Sequence, residues 1–103
     1  MVFSIDTNLS GDIIVIGSYQ HDLDLKPNSG LVRVYQKNES SWVQLGSDIF
    51  GENTDDNCGY KVSINGDGNI IAFSSIYYNN NTIISAGQVK IYQFNQLTSD
   101  WEQ

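Results

Sequence analysis

An internal repeat constrains the fold of this chain more than any other feature. Residues 11–18 (GDIIVIGS) recur 57 positions later as residues 68–75 (GNIIAFSS), and residues 30–36 (GLVRVYQ) recur with the same displacement as 87–93 (GQVKIYQ). Two further blocks match with a displacement of 59, namely Trp42-Val-Gln44 with Trp101-Glu-Gln103 and Phe3-Ser-Ile5 with Val62-Ser-Ile64. Four blocks that recur in one order indicate two copies of one structural unit.

Each repeated block has the composition of a β-strand. The blocks are rich in β-branched and aromatic residues, and Gly, Asn and Asp separate them, as in the hairpin sequence of residues 65–69 (NGDGN). The second copy is expected to have the shorter loop between its first two strands. The sequence predicts four strands per copy: 2–6, 12–18, 30–37 and 42–46 in the first, and 60–65, 69–75, 87–94 and 101–103 in the second.

The second strand of each copy is apolar on both faces, as in residues 13–16 (IIVI). A sheet that is covered on both sides has this pattern, and one four-stranded sheet cannot cover both of its own faces. Stacked or radially arranged sheets can. We therefore expect an all-β fold of two four-stranded antiparallel blades of a partial β-propeller. The first repeat would span 1–59, and the second 60–103, truncated in its last strand.

The charge balance excludes some partner classes. Twelve Asp and Glu residues against five Lys and Arg give a net charge of -7, whereas nucleic acid and anionic membrane surfaces attract basic faces. No apolar run reaches the roughly 18 residues of a membrane span, so membrane insertion is not expected. Cys58 is the single cysteine and His21 the single histidine. Cys58 is expected to be a small loop residue, because catalytic use would require a base nearby.

The combined motifs resemble the FG-GAP and integrin-alpha-like β-propeller repeats. They match the subgroup pattern W-x-Q-L-G-x-x-I-x-G-E at residues 42–52 (WVQLGSDIFGE), followed by an acidic loop at 55–59 (DDNCG). The strands at 62–64 and 87–92 and the Asp67-Gly68 turn continue the pattern. The resemblance covers nearly the whole chain and implies propeller blades with binding roles, usually in extracellular, surface or adhesion proteins. It leaves the localisation of this chain open, since no signal peptide is visible.

The same resemblance implies a calcium-binding loop, which this sequence matches only in part. Family members that bind calcium carry a D-x-D/N-x-D-G-x-x-D loop between the first two strands, and Asp6, Asn8 and Asp67 are the candidate ligands here. Ser10 and Ile14 stand where two acidic residues belong. Calcium requires six to eight oxygen ligands, so we expect that this chain needs no cofactor to fold.

One rim of the predicted sheets concentrates acidic, aromatic and imidazole side chains. Strands that alternate in direction bring the loops between second and third strands and the connection between copies to the same rim. A recognition surface for a cation, a sugar or a basic partner is one interpretation, and a solvated loop rim is the other. The candidate residues are Tyr19, His21, Asp22, Asp24, Glu52, Asp55, Asp56, Tyr77 and Tyr78.

Three functional classes follow from this sequence. The first is a non-catalytic module for protein–protein interaction, adhesion or structural assembly, with a protein partner or further blades beside it. The second is a carbohydrate-binding, lectin-like propeller assembled from two-blade subunits, in which Trp42 or Trp101 would stack on a glycan. The third is a fragment of a propeller glycoside hydrolase. A closed propeller has roughly four to eight blades, so we expect either a fragment of a longer repeat protein or a subunit that closes a ring with copies of itself.

Overall fold

The structure is a computed structural model that describes residues 4–22, 28–51, 56–76 and 87–103. These residues form nine strands and no helix. The prediction of an all-β chain with two four-stranded antiparallel sheets is therefore confirmed. The strands are β1 (Ser4–Thr7), β2 (Ile13–Ser18), β3 (Leu31–Asn38), β4 (Ser41–Gln44), β5 (Ile49–Phe50), β6 (Val62–Ile64), β7 (Ile70–Ile76), β8 (Gly87–Asn95) and β9 (Asp100–Glu102).

Each repeat forms an antiparallel meander. The first sheet has the order β1-β2-β3-β4 and the second the order β6-β7-β8-β9. The sequence did not predict β5, a two-residue strand that pairs with β3 beyond the end of β4. Between β4 and β5 the chain leaves the ladder at Gly46, which has a φ of +78°, a conformation that favours glycine.

The register of the first strand differs from the sequence alignment, which matched Ile5 with Ile64. In the structure Ile5 lies opposite Ile16, and Val62 lies opposite Phe73. Phe73 follows Ile16 by 57 positions, which is the displacement between the repeats, so these two residues are equivalent. Their partners Ile5 and Val62 are therefore equivalent as well. Side chains alternate with a period of two residues, and a slip of two therefore preserves the inward and outward pattern. Hydrophobic alternation could not distinguish the two registers.

The two hairpins between the first and second strands are equally long. Asn8 accepts hydrogen bonds on its side-chain oxygen from the backbone N–H groups of Asp12 and Ile13. Asn65 accepts the equivalent pair from Asn69 and from the residue after it. The expected shortening of the second loop is therefore wrong, because Asn8, and not Asp6, is the equivalent of Asn65.

Side chains of directly paired residues share one face of a sheet, which defines two faces in each repeat. In the first sheet the front face carries Ile13, Val15, Val32 and Val34, and the back face carries Ile14, Ile16, Arg33 and Tyr35. In the second sheet the equivalent front face carries Ile70, Ala72, Val89 and Ile91, and the back face carries Ile71, Phe73, Lys90 and Tyr92.

The two sheets pack through opposite faces. The core contains Val15, Val32 and Val34 from the front face of the first sheet, together with Ile71 and Phe73 from the back face of the second. The equivalents of these residues in the other repeat lie outside the core. The sheets are therefore stacked head to tail, since each contributes the face that the other leaves uncovered.

The first strands of the two sheets lie side by side at one end of this interface. The Ile64 N–H donates a hydrogen bond of 2.9 Å to Asp6 Oδ2 in β1, and the Val62 N–H donates one of 3.1 Å to Ser4 Oγ. The Leu9 N–H donates to the Gly66 carbonyl, which joins the two hairpins. β1 and β6 are thus neighbours although 54 residues separate their ends.

Trp101 in β9 fixes the other end of the interface. Its indole Nε1 donates a hydrogen bond of 2.9 Å to the Leu45 carbonyl oxygen, and its ring lies against Gly46, where a Cβ atom would come within 2.6 Å of Trp101 Cδ1. Beside it, Asp100 accepts hydrogen bonds from the Ser47 N–H at 2.8 Å and the Ser47 hydroxyl at 3.0 Å. The outer edge of the second sheet is therefore joined to the break between β4 and β5.

Candidate functional site

Glycines allow the connection between the repeats to cross the end of the first sheet. Cys58 forms a parallel bridge with Gly30, and a Cβ atom on Gly30 would lie 2.1 Å from the Cys58 carbonyl oxygen. A Cβ atom on Gly17 would lie 2.3 Å from the Gly59 carbonyl oxygen. The Gly59 N–H donates a hydrogen bond to Ser74 in the second sheet. Because any larger residue would collide with backbone, this crossing explains the glycines at positions 17 and 30 of the first repeat.

A buried polar cluster lies beneath this crossing. Asp56, Cys58, Ser75, Lys90 and Ser29 are all buried. Burial raises the pKa of the Cys58 thiol to about 11, against the smaller lowering effects of the Ser75 hydrogen bond and the Lys90 charge. The thiol is therefore protonated at neutral pH, which makes it a poor nucleophile. Sequence reasoning missed this cluster, because its members come from four separate segments.

The structure describes four of the nine residues that the sequence places on the rim. The Tyr19 ring packs edge-on against Tyr60 with 5.1 Å between ring centroids, and the His21 ring lies 6.1 Å from Phe50. Asp22 accepts a hydrogen bond from the backbone of Asn28. These three side chains lie at the end of the first sheet where β2 and β3 are connected.

Asp56, the fourth of these residues, has a different environment. It is only 2% exposed, so it faces the protein interior and not a solvated rim. Its negative charge also raises the Cys58 pKa, which places it beside the thiol. The remaining rim candidates lie outside the described residues: Asp24, Glu52, Asp55, Tyr77 and Tyr78.

Two of the three weak calcium candidates accept hydrogen bonds from backbone N–H groups, and the third is exposed in a hairpin. Asp6 accepts hydrogen bonds from the Thr7 and Ile64 N–H groups, and the Asn8 side-chain oxygen closes the first hairpin. Asp67 lies exposed in the second hairpin. Among the residues that the structure describes, no group of three or more His, Cys, Asp or Glu side chains could hold a metal ion. The expectation about calcium stays a prediction.

One ion pair stands on the back face of the first sheet. Arg33 donates to both carboxylate oxygens of Asp48, from Nε at 2.6 Å and from Nη2 at 2.8 Å. The pair lowers the pKa of Asp48 and raises that of Arg33, because each charge stabilises the other. Asp48 precedes β5, so this pair holds the returning chain against β3.

Two apolar sheet faces have no covering layer among the described residues. On the front face of the second sheet, Val89 is 68% exposed and Ile91 is 59% exposed. Ile70, Ile91, Gln93 and Glu102 line a groove of about 580 Å³ on this face. On the back face of the first sheet, Ile5 is 59% exposed. Large apolar side chains left exposed on a sheet face are candidates for contact sites.

The equivalent tryptophans Trp42 and Trp101 differ in burial, as the two back faces do. Trp101 is 6% exposed in the interface between the sheets, whereas Trp42 is 44% exposed at the outer strand of the first sheet. Trp42 lies opposite Lys37, which puts it on the uncovered back face. Of the two equivalent tryptophans, only Trp101 is therefore packed between the sheets.

Comparisons with known proteins add no further assignment. No protein-family model, no curated protein and no solved structure matches this chain. Within the part of the chain that the structure describes, no helix is long and apolar enough to cross a membrane.

Proposed function

We propose that this chain is a non-catalytic repeat module of the β-propeller type, which serves protein–protein interaction or structural assembly. The observation that carries the proposal is the head-to-tail packing of the two sheets. A propeller consists of four-stranded sheets arranged around an axis, each covered by its neighbours. The front-to-back contact between equivalent faces is the contact that such an arrangement repeats.

The position of the first strands supports the same architecture. β1 and β6 lie side by side, and the β6 backbone N–H groups donate hydrogen bonds to the Asp6 and Ser4 side chains of β1. The other strands of each sheet follow its first strand in chain order. In a propeller one edge strand of every blade lines the central channel. In this proposal β1 and β6 are those strands.

The chemistry of the described residues supports a binding role better than catalysis. The Cys58 thiol is buried and protonated at neutral pH. The His21 ring packs near Phe50, and the best-formed ion pair, Arg33 with Asp48, holds β5 in place. Each of these groups has a structural contact that accounts for it.

An experimental structure of the assembled protein, by crystallography or cryo-electron microscopy, tests the proposal. We expect the sheets to fan out from one axis, with β1 and β6 nearest to it. Sheets that pack front to front or back to back, or a β6 strand remote from β1, would contradict the propeller assignment.

A further inference from the structure

We propose that two copies of this chain bind each other head to tail, with the front face of the second sheet in one copy on the back face of the first sheet in the next. This inference rests on the repeat module described above and names its partner. The two faces are the uncovered equivalents of the two faces that already pack inside the chain. A single type of contact would then join all sheets.

The front face of the second sheet matches a surface that is fully covered in the first repeat. Val89 and Ile91 are the equivalents of Val32 and Val34, which are 0% and 1% exposed beneath the second sheet. These two pairs of residues are the same or similar in type; elsewhere on the face, Ala72 stands at the position of Val15 and Ser74 at that of Gly17. A layer like the second sheet's back face would therefore cover this surface.

The back face of the first sheet offers such a layer. Ile14 and Ile16 are the equivalents of Ile71 and Phe73, which lie in the core. Ile5 is the equivalent of Val62, which packs against the core and reaches Gly17. In the proposed contact, Ile5 would occupy on the neighbouring copy's second sheet the place that Val62 occupies on the first sheet within one chain.

Trp42 adds a large, 44% exposed apolar side chain to the same back face, on the outer strand. It is the equivalent of Trp101, which is buried between the two sheets. Burying a tryptophan at the edge of an interface removes a large apolar area from water.

The charges on the two uncovered faces are complementary. The back face of the first sheet carries Lys37 opposite Trp42, and the front face of the second sheet carries Glu102 opposite Gln93. At the equivalent positions of the other repeat, Phe94 and Val43 are apolar. Opposite charges on facing surfaces favour association.

The contact is heterologous, because each copy offers a different face to each neighbour. Heterologous contacts make a ring when the rotation closes, and open filaments when it does not. The described residues of each copy supply two sheets, and propellers have roughly four to eight. A ring made only of such two-sheet units would contain about two to four of them.

Two variants with matched exposure test this directly. Ile91→Asp disables the front face of the second sheet and Ile5→Asp the back face of the first, and both side chains are 59% exposed. Leu97→Asp, at a 96% exposed position in the β8–β9 hairpin, is the control. Val89→Asp and Trp42→Ala replace the first two if either fails to fold by circular dichroism.

Sedimentation velocity distinguishes the outcomes. The wild type and Leu97→Asp should form oligomers at micromolar concentration, and each interface variant alone should be monomeric. An equimolar mixture of the two interface variants should form a heterodimer of two 11.5 kDa chains, because one intact front face meets one intact back face. A monomeric wild type, an interface variant that dimerises alone, or a mixture that stays monomeric would overturn the proposal.

An NMR measurement on the same monomeric variants separates this inference from the repeat module itself. The indole N–H of Trp101 should show a nuclear Overhauser effect to the Gly46 protons, since the ring contacts Gly46 within one chain. If that signal is present but no heterodimer forms, self-association is wrong and the repeat module stands. If the signal is missing, both proposals are wrong.

Discussion

Trp42 and Trp101 occupy the same position in the two repeats and contact different surroundings. Trp101 is buried and hydrogen-bonded to Leu45, whereas Trp42 is 44% exposed. Truncating a buried tryptophan removes its apolar burial and leaves a cavity, and typically costs about 3–5 kcal/mol. Position in the repeat therefore does not decide what a residue contributes to stability.

We predict that Trp101→Ala lowers the free energy of unfolding by at least about 3 kcal/mol. Trp42→Ala should lower it by less than about 1 kcal/mol. Urea unfolding of both variants in the monomeric Ile91→Asp background measures the difference without a contribution from self-association. Equal losses from the two truncations would contradict the packing of the second sheet on the first.

The Cys58 thiol provides a prediction about reactivity. Burial raises its pKa to about 11, and thiolates react far faster than thiols. At pH 8 we expect a thiol reagent to label the folded chain many times more slowly than the chain in urea. Labelling at the rate of the unfolded chain would show that the crossing between the repeats is open.

Asp100 gives the stability a dependence on acid pH. Hydrogen bonds from the Ser47 and Trp101 backbone N–H groups lower its pKa below the ordinary value of 3.8. A group with a lowered folded pKa stabilises the fold above its unfolded pKa, and that contribution is lost as the pH falls below about 4 and through the folded value. We predict that Asp100→Asn lowers stability at pH 7 by about 1 kcal/mol.

The same substitution should flatten the loss of stability between pH 4 and pH 2, since asparagine does not titrate. Urea unfolding at several pH values measures both effects. Thr98→Ala in the adjacent hairpin is the control, because the Thr98 side chain hydrogen-bonds to Glu102 and not to Asp100. This variant should lose stability between pH 4 and pH 2 as the wild type does. The same loss in Asp100→Asn would contradict the hydrogen bond between the sheets.

At the scale of the strand, the sequence predicted most elements and missed two details. The repeated blocks gave β2, β3, β7 and β8 within a residue or two, because their hydrophobic types and flanking glycines are strong local signals. The register of β1 was wrong, since a slip of two residues keeps the alternation. β5 was missed because two residues carry no periodic pattern.

The site was predictable only in part, for physical reasons. The sequence placed Tyr19, His21 and Asp22 in the loop after the second strand, and in the structure they lie at that end of the first sheet. It could not place Asp56 in the interior, where it lies beside Cys58. That burial depends on the backbone crossing at Gly30, which no local pattern reveals.

The two hairpin asparagines offer a test of the corrected register. Asn8 and Asn65 each accept two backbone hydrogen bonds that close their turns. We predict that Asn8→Ala and Asn65→Ala each cost about 1–2 kcal/mol, measured by urea unfolding. Asp67→Ala, at an exposed position in the same turn, should cost less than about 0.5 kcal/mol. A neutral Asn8→Ala would contradict the equivalence of the two turns.

At the scale of the whole molecule, the contact between the two sheets leaves one apolar face of each sheet without a covering layer. Each sheet has two apolar faces, and the described residues form two sheets, so the contact between them covers only two of these four faces. The first sheet buries its front face and the second sheet its back face. The back face of the first sheet and the front face of the second sheet stay uncovered. Both the propeller architecture and the self-association depend on this inverted burial, in which equivalent faces of the two repeats have opposite exposure.

Methyl NMR with a gadolinium chelate as a soluble relaxation agent tests the inverted burial most directly. In the monomeric Ile5→Asp variant, the agent should broaden the methyl signals of Val89 and Ile91, which are 68% and 59% exposed. It should leave those of Val32 and Val34 sharp, at the equivalent positions of the first repeat, because the second sheet covers them. Equal broadening of all four residues, or sharp Val89 and Ile91 signals beside broadened Val32 and Val34 signals, would contradict the head-to-tail packing.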